Sequence, residues 1–372
     1  MTNGSVEQPG ATVHSYAFNG SASTPTLERF TVVIGKELED AGFVRADGDP
    51  RRASLVMSLV DAARPKPFRR GGRGTYVVAL VERSSHPEPI QESLKADYPL
   101  IPGALANLVL DFVPGQGAWF TTIERGHYGV FAGDDDLLAR RVVERLLPLA
   151  RARLVIENEF RTDLEPALWK GDGITRSIRD AGVRLGALDL LPNPFPIHDL
   201  LPPRELRHVK RIYGIGGLSY GNLSARKDRS RFWMSASGVD KTRLDVPGKD
   251  ILLVSGYDRE HGRMVLSVPP HVEPRRVSVD AIEHWTIYQE HPGVGAILHV
   301  HAWVDGIEAT DVNYPCGTEE LARSVAALVR RAPDPDHAIV GMRNHGITAT
   351  GSSLEEILDR IGPRVLREIP MS

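Results

Sequence analysis

The sequence predicts an α/β protein of two domains, and three observations support this prediction. The chain has 372 residues, which suits two domains at roughly 150 residues each. Patterns typical of helices and of strands follow one another in mixed order along both halves. Five prolines crowd between residues 192 and 203, where they favour an extended connection.

These patterns divide the chain into four segments. Residues 1–25 are rich in Gly, Ser, Thr and Pro, and we expect them to be a disordered tail. Residues 26–160 are predicted to form a separate α+β domain, and residues 161–203 a proline-rich connection. Residues 204–372 are predicted to form the second domain.

The elements of the two domains follow from apolar periodicity and from turn residues. In the first domain, helices are predicted over 26–41 and 134–153, and strands over 53–60, 74–83, 105–112 and 118–131. In the second domain, helices are predicted over 204–213, 279–289, 318–331 and 353–360. The strands of that domain are predicted over 223–227, 232–236, 251–255, 295–304, 338–342 and 347–350.

Composition excludes several classes of protein. The net charge of −3 gives no overall basic field for nucleic acid or anionic membranes. No stretch of about 18 apolar residues is present, so no membrane span is expected. Cys316 is the only cysteine, and the polar first residues do not resemble a signal peptide. We therefore expect a cytoplasmic protein without internal disulfides.

One basic segment runs from Arg64 to Gly74 and includes Phe68 among its charged residues. Such a segment can bind a phosphate-bearing ligand or nucleic acid. The alternative is a solvated hairpin loop whose glycines make the turn. The slightly acidic chain favours the loop, so nucleic acid is not the expected partner.

The clearest chemical signal is a histidine pair on a strand. His299 and His301 are two residues apart in an apolar segment, so both imidazoles leave the strand on the same face. Together they can bind one metal ion. Alternatively, they can be two polar side chains on a half-exposed strand whose hydrogen bonds are already made. His345, between two strand-like segments, is the candidate third ligand. Three neutral imidazoles with an open fourth position are typical of a catalytic zinc site.

Two glycine-containing turns are candidate anion sites. Gly221 and Asn222 follow a glycine-rich stretch, and Ser237 and Gly238 end a predicted strand. Glycine lets backbone amides approach a phosphate or carboxylate closely, although both segments can equally be ordinary tight turns.

Asp280 is the candidate proton-transfer group, because it begins the helix that precedes the histidine strand. A carboxylate beside a metal can be a further ligand or a general acid–base. Glu283 lies one turn away and competes for the same role. A solvated helix face is the alternative for either residue.

Taken together, these motifs resemble the class II aldolase and adducin family over roughly residues 203–361. The order and spacing of six short segments carry the resemblance. They are Gly221-Asn222-Leu223-Ser224, Ala236-Ser237-Gly238, Asp280, His299-Val300-His301-Ala302, Gly317-Thr318-Glu319-Glu320-Leu321 and Asn344-His345-Gly346.

The resemblance implies an α/β/α sandwich around a mainly antiparallel sheet, assembled as a homotetramer with active sites between subunits. It implies one zinc or other divalent ion per subunit, held by His299, His301 and His345. It also implies that Asp280 is the acid–base. Substrate phosphate would be bound by residues of three segments, namely Gly221, Asn222, Ser237, Gly238 and Ser278.

The sequence also departs from the family pattern. Asp280 stands where the aldolases have Glu, and Val279 replaces a phosphate-binding hydroxyl residue. The leading hypothesis is a lyase of carbohydrate metabolism that cleaves an anionic hydroxy-keto substrate through a metal-stabilised enediolate. A sugar-phosphate epimerase or dehydratase with the same site is the second hypothesis. A non-catalytic, adducin-like scaffold is the third.

Overall fold

Two β-sheets organise this mixed α/β chain, one of seven strands and one of eight. The computed structural model describes residues 14–71, 75–122, 126–192, 200–207 and 220–371. The chain divides into two compact units. The first comprises Met1–Thr122 and Gly129–Arg151, and the second comprises Ile123–Tyr128 and Ala152–Ser372.

The seven-stranded sheet has the order β2-β1-β3-β4-β5-β6-β7. Its elements in chain order are β1 (Ser15–Asn19), α1 (Pro25–Asp40), β2 (Val44–Arg45), β3 (Leu55–Leu59), β4 (Tyr76–Glu82), α2 (Ile90–Asp97), α3 (Leu100–Ala104), β5 (Leu108–Val113), β6 (Gly117–Thr122), β7 (Gly126–Val130) and α4 (Asp135–Arg151).

The pairing in this sheet corrects the α+β assignment. The neighbours from β2 through β5 pair in parallel, and β5 with β6 pairs antiparallel. Parallel strands need crossover connections, which the apolar pattern of single strands does not reveal. Because β3 and β4 are parallel, the basic segment between them is a crossover and not a hairpin loop. Its Phe68 is buried, while residues 72–74 lie outside the described residues.

The predicted disordered tail over residues 1–25 is also corrected, because β1 lies within it. Strand β1 pairs with both β2 and β3, inside the sheet. Tyr16 is buried there and its hydroxyl donates a hydrogen bond of 2.8 Å to Glu39. A strand of five residues between Gly- and Ser-rich segments gives little periodic signal. Residues 1–13 lie outside the described residues.

The eight-stranded sheet has the order β14-β15-β13-β9-β10-β11-β12-β8. Its elements are β8 (Glu157–Arg161), α5 (Gly173–Ala187), β9 (Asn222–Arg226), β10 (Phe232–Ser235), β11 (Ile251–Asp258), β12 (Arg263–Ser267), α6 (Ala281–Glu290), β13 (Ala296–Val300), α7 (Glu319–Arg331), β14 (Ile339–Met342), β15 (Gly346–Gly351) and α8 (Leu354–Ile361).

This sheet is mainly antiparallel, as predicted. Only β12 with β8 pairs in parallel among its ladders in the described residues. Every residue of β13 is buried inside the sheet, where β9 and β15 flank it. A fully buried strand reads as a continuous apolar run, so the two histidines near its end stand out chemically.

The proline-rich connection predicted over residues 161–203 is wrong where α5 lies. Asp172 and Thr175 form a capping box at the start of this helix. Ile178 and Leu185 are buried in the core of the second unit. The prolines that suggested a connection come after the helix, and residues 193–199 lie outside the described residues. The second unit therefore begins near residue 152 and not at residue 204.

Two other predictions fall partly outside the described residues. Residues 203–207 are helical, as predicted, but 208–213 are not described. The glycine-rich stretch over 214–219 is not described either. Among the residues that are described, no helix has the length and apolar character needed to cross a lipid bilayer.

Candidate metal centre

Three buried histidines converge at one end of β13, an interior strand of the eight-stranded sheet. His299 lies in β13, His301 directly follows it, and His345 lies in the turn between β14 and β15. Their side chains are 0%, 8% and 1% exposed. One ring nitrogen from each lies within 4.8 Å of the other two. The third histidine therefore reaches the pair, which sequence spacing alone could not establish.

Two glycines allow this convergence. Gly221 has φ +74°, and a Cβ added to it would overlap the carbonyl oxygen of His299. Gly346 has φ +152°, and its Cβ would overlap the carbonyl oxygen of Val300. Glycine alone combines this backbone geometry with such a close approach. Close packing against the backbone of β13 is therefore reason enough for glycine in the Gly-Asn and His-Gly motifs.

A hydrogen bond fixes the tautomer of His299, and the other two imidazoles lie close to each other. Nδ1 of His299 lies 3.0 Å from the carbonyl oxygen of Ile347. A carbonyl oxygen only accepts, so Nδ1 carries the proton and Nε2 keeps its lone pair. The Nε2 atoms of His301 and His345 lie 3.1 Å apart. Two nitrogens bound tetrahedrally to one zinc ion at about 2.0–2.1 Å are roughly 3.3 Å apart, so the donor set fits such an ion.

The only cysteine of the chain lies beside this cluster. Sγ of Cys316 is 3.4 Å from Nε2 of His345, and the thiol is partly exposed. Sequence reasoning missed this neighbour. The sequence offered one indication that Cys316 lies near the site, because this residue directly precedes the Gly317–Leu321 segment of the family resemblance.

Asp280 is tied to the histidine strand through Asn222. Nδ2 of Asn222 donates a hydrogen bond of 2.8 Å to Oδ2 of Asp280. Asn222 on β9 pairs in register with His299 on β13. Asp280 is only 6% exposed, which excludes the solvated face for this residue. Its Oδ1 is buried without a hydrogen-bond partner among the described residues.

Glu283 and His284, one turn further along α6, are bonded to other groups. Thr348 donates a hydrogen bond of 2.6 Å to Glu283. Nδ1 of His284 lies 2.7 Å from the hydroxyl of Ser224. Complete burial holds the pKa of His284 well below its usual value, so this imidazole is neutral. Both side chains therefore hold α6 against the sheet.

The predicted phosphate residues lie on neighbouring backbone segments. Residues 235–237 run beside 276–278, with a bridge between Ala236 and Val277. The amide of Ser237 donates to Arg276, and the amide of Ser278 donates to Ser235. Ser237 therefore offers its hydroxyl and not its amide to an anion. Gly238, next in the chain, is exposed.

Sequence reasoning also missed Lys241, in the loop that follows this segment. Its side chain is 3% exposed. Burial lowers the pKa of its ammonium group to about 8, while the carboxylates of Asp280 and Asp240 act to raise it. A lysine in a polar loop is expected to be solvated, so the sequence held no signal for this burial.

Comparison with known proteins confirms the resemblance that the motifs predicted. Residues 207–304 match the family model of the Class II Aldolase and Adducin N-terminal domain. The matched range contains Asp280, His299 and His301, whereas His345 lies beyond it. The likeness to this family thus covers residues 207–304, which lie in the second unit.

Solved structures give weaker likenesses. An L-fuculose-1-phosphate aldolase from Thermus thermophilus is 20% identical, covering 51% of this chain and 89% of its own, with a TM-score of 0.32. A second L-fuculose 1-phosphate aldolase is 18% identical, covering 51% and 80%, with a TM-score of 0.35. An aldolase II superfamily protein from Pseudomonas syringae is 16% identical, covering 54% and 76%, with a TM-score of 0.34. No curated protein matches the chain. Because these sequence identities and TM-scores are low, the solved structures support no function for this chain.

Proposed function

We propose that this chain is a metal-dependent lyase of the class II aldolase type, acting on a small anionic hydroxy-keto substrate. The convergence of three buried histidines, linked through Asn222 to a buried carboxylate, is the observation that carries this proposal. Structural polar clusters are satisfied by protein partners alone. Here one ring nitrogen from each of three buried imidazoles lies within 4.8 Å of the other two, close enough for one divalent ion to bind all three.

His299, His301 and His345 would hold the ion. A divalent ion held there supplies Lewis acidity toward a ketone and its neighbouring hydroxyl group. The bond from Nδ1 of His299 to Ile347 keeps that imidazole in the ligating tautomer and in a fixed orientation. Asn222 in turn restrains the carboxylate of Asp280.

Asp280 would transfer the proton that the reaction requires. In aldol cleavage, the hydroxyl β to the ketone loses its proton and the carbon–carbon bond breaks to release an aldehyde. The carbon left beside the ketone then takes up a proton. Since Oδ2 of Asp280 is held by Asn222, Oδ1 is the oxygen available for this exchange.

The anionic group of the substrate would bind at the adjoining segments. The hydroxyl groups of Ser237 and Ser278 and the exposed Gly238 are the proposed contacts there. The backbone amides of Ser237 and Ser278 are already bonded within the protein. We extend the proposal to zinc as the ion, one per subunit, and to a cytoplasmic homotetramer active in carbohydrate metabolism.

An epimerase or dehydratase is the second candidate. Asp280 in place of Glu is the observation that favours it. The three reactions give different products from one ketose phosphate: a triose phosphate with an aldehyde, an epimer, or a dehydrated dicarbonyl compound. Product analysis by mass spectrometry and NMR on a panel of pentose and deoxyhexose ketose phosphates separates them.

Metal content tests the enzyme proposal against a scaffold role. We expect close to one divalent ion per chain by plasma mass spectrometry, and loss of turnover after chelation with recovery on adding the ion. Purified native protein that neither contains nor takes up a divalent ion would contradict a lyase role and favour the adducin-like scaffold.

A further inference from the structure

A cluster of buried polar side chains joins helix α2 to the sheet of the first unit. Arg83 directly follows β4, Asp97 ends α2, Asp111 lies in β5 and Thr121 lies in β6. Both aspartates and the threonine are completely buried, and the side chain of Arg83 is mostly buried. The cluster therefore connects one helix with three neighbouring strands at a place that water barely reaches.

One guanidinium group binds both carboxyl groups of this cluster. Nε of Arg83 donates a hydrogen bond of 2.7 Å to Oδ2 of Asp111, and its Nη2 donates one of 2.6 Å to Oδ1 of Asp97. Nε and Nη2 form one edge of a rigid, planar fork, an edge that can bind both oxygens of a single carboxylate. Here the two oxygens come from different aspartates. The carboxyl groups are thereby held side by side, where burial leaves their repulsion poorly screened.

The four carboxyl oxygens are not equivalent, and three of them accept a hydrogen bond. Besides the two bonds from Arg83, Oδ2 of Asp97 accepts one of 2.6 Å from the hydroxyl of Thr121. Oδ1 of Asp111 is buried and has no hydrogen-bond partner among the described residues. An ionised oxygen buried without a donor is costly, whereas a protonated one is neutral and can itself donate. This difference makes Asp111 the place for a proton.

The surroundings of Asp111 favour the same assignment. Burial raises the pKa of Asp111 most, and the carboxylate of Asp97 raises it further, although Arg83 acts to lower it. These two groups are the charged neighbours that act on Asp111 among the described residues. Burial lowers the pKa of the nearby His86, so that imidazole adds no positive charge at neutral pH. Helix α3 and strand β6, which also pack here, contain no titratable residue.

We propose that the first unit contains a proton site: at neutral pH, Oδ1 of Asp111 carries a proton, which lets two aspartates share Arg83 and holds α2 on the sheet. Loss of this proton places a second negative charge beside Asp97, and the repulsion loosens α2 from β5. The first unit thus becomes less stable as the pH rises. This inference concerns the first unit alone, so it is independent of the metal centre and of the proposed lyase activity.

Carboxyl-carbon NMR tests the proton directly. In protein labelled at the side-chain carboxyl carbon of aspartate, the Asp111 resonance is assigned by its absence in Asp111→Asn. We expect the chemical shift of a protonated carboxyl group at neutral pH, with ionisation only at higher pH. A resonance of Asp111 that is already ionised at neutral pH, with or without added sodium or potassium ions, would overturn the inference.

Substitution by asparagine distinguishes the two aspartates. Asn is a neutral mimic of protonated Asp, so Asp111→Asn should unfold at the same denaturant concentration as wild type, or at a higher one, at neutral pH. Asp97→Asn should unfold at a lower concentration, because Arg83 loses an ionised partner inside the protein. The control Asp136→Asn removes an exposed partner of Arg29 and should change little. Equal destabilisation by the two buried substitutions would mean that both carboxylates are ionised, which contradicts the proposal.

The pH dependence adds a measurement that packing alone does not affect. Between the pKa of Asp111 in the unfolded chain and its raised pKa in the folded chain, the folded chain binds one more proton, so stability falls with rising pH. Relative to Asp111→Asn at the same pH, the opening of α2 in wild type should increase up to about tenfold per pH unit in this range. Hydrogen exchange of residues 90–97 measures this opening. A ratio between the two proteins that stays constant with pH would refute the proton site.

Discussion

Sγ of Cys316 lies 3.4 Å from Nε2 of His345, the same nitrogen that faces His301 at 3.1 Å. A group added to the sulfur would therefore crowd Nε2 of His345, the nitrogen that we propose binds the ion. The chain has no other cysteine, so thiol chemistry reports on this one place.

We predict that alkylation of Cys316 and metal binding exclude each other. Metal-free protein treated with N-ethylmaleimide should lose most of its capacity for zinc, and bound zinc should slow the alkylation. Cys316→Ser provides the control, because this variant should bind zinc normally and has no thiol that the reagent can alkylate. Full zinc content in alkylated protein, measured by plasma mass spectrometry, would contradict the proposed site.

Each histidine of the cluster should be necessary for metal. His299→Ala, His301→Ala and His345→Ala should each lose the ion, because two imidazoles leave a tetrahedral site half complete. At a zinc concentration of 100 Kd, an ion bound to the folded state stabilises it by about 2.7 kcal/mol. Zinc should thus raise the Tm of wild type and of His261→Ala, whose imidazole is exposed, but not of the three variants.

Asp280→Asn should lower kcat about 10²- to 10⁴-fold, the usual contribution of a general acid–base. Its metal content should remain normal, since the three histidines are untouched. Glu283→Gln is the informative comparison, because Glu283 is bonded to Thr348 and is expected to affect stability more than kcat. A larger loss of kcat in Glu283→Gln than in Asp280→Asn would reassign the acid–base.

Gly221→Ala should destabilise the protein more than Gly306→Ala. Both glycines have positive φ, +74° and +77°, which costs an alanine about 1–2 kcal/mol. A Cβ at Gly221 would also overlap the carbonyl oxygen of His299, whereas one at Gly306 meets nothing within 4 Å among the described atoms. We expect a difference of more than about 2 kcal/mol in the free energy of unfolding, from chemical denaturation. Equal values would remove the packing explanation for Gly221.

Lys241 should make stability rise with pH above 8. Its pKa is about 8 in the folded chain, against 10.5 for an exposed lysine. Between these values the unfolded chain binds a proton that the folded chain does not, so rising pH favours folding. At 1.36 kcal/mol per pKa unit the gain is about 3 kcal/mol. Unfolding from pH 7.5 to 10.5 should show this gain in wild type relative to Lys241→Met.

The histidine positions were predictable because they depend on local chemistry. A strand places His299 and the residue two positions later on one face, and an Asn-His-Gly turn suits a reversal between two strands. The left-handed backbone of Asn344, with φ +57°, agrees with that turn. The meeting of His345 with the pair is different, because it depends on β15 pairing beside β13.

What could not be predicted depends on contacts between distant segments. The backbone of Lys241 packs closely against α5 at Gly182, 59 residues earlier in the sequence, where a Cβ would overlap the lysine carbonyl oxygen. Strand β1 is defined by parallel partners that lie on either side of it in the sheet. Apolar periodicity describes one segment at a time, so it detects neither relationship.

The position of His345 has a kinetic consequence. The turn that carries it joins β15 to β14, and β14 is the outermost strand of its sheet. Edge hairpins open by local fluctuations that cost less free energy than unfolding of the whole unit. An ion held by three ligands, one of them on this hairpin, would leave through such openings. The rate at which the ion leaves would then follow the local opening of β14 and β15, while His299 in β13 and His301 directly after it stay in place to bind the ion again.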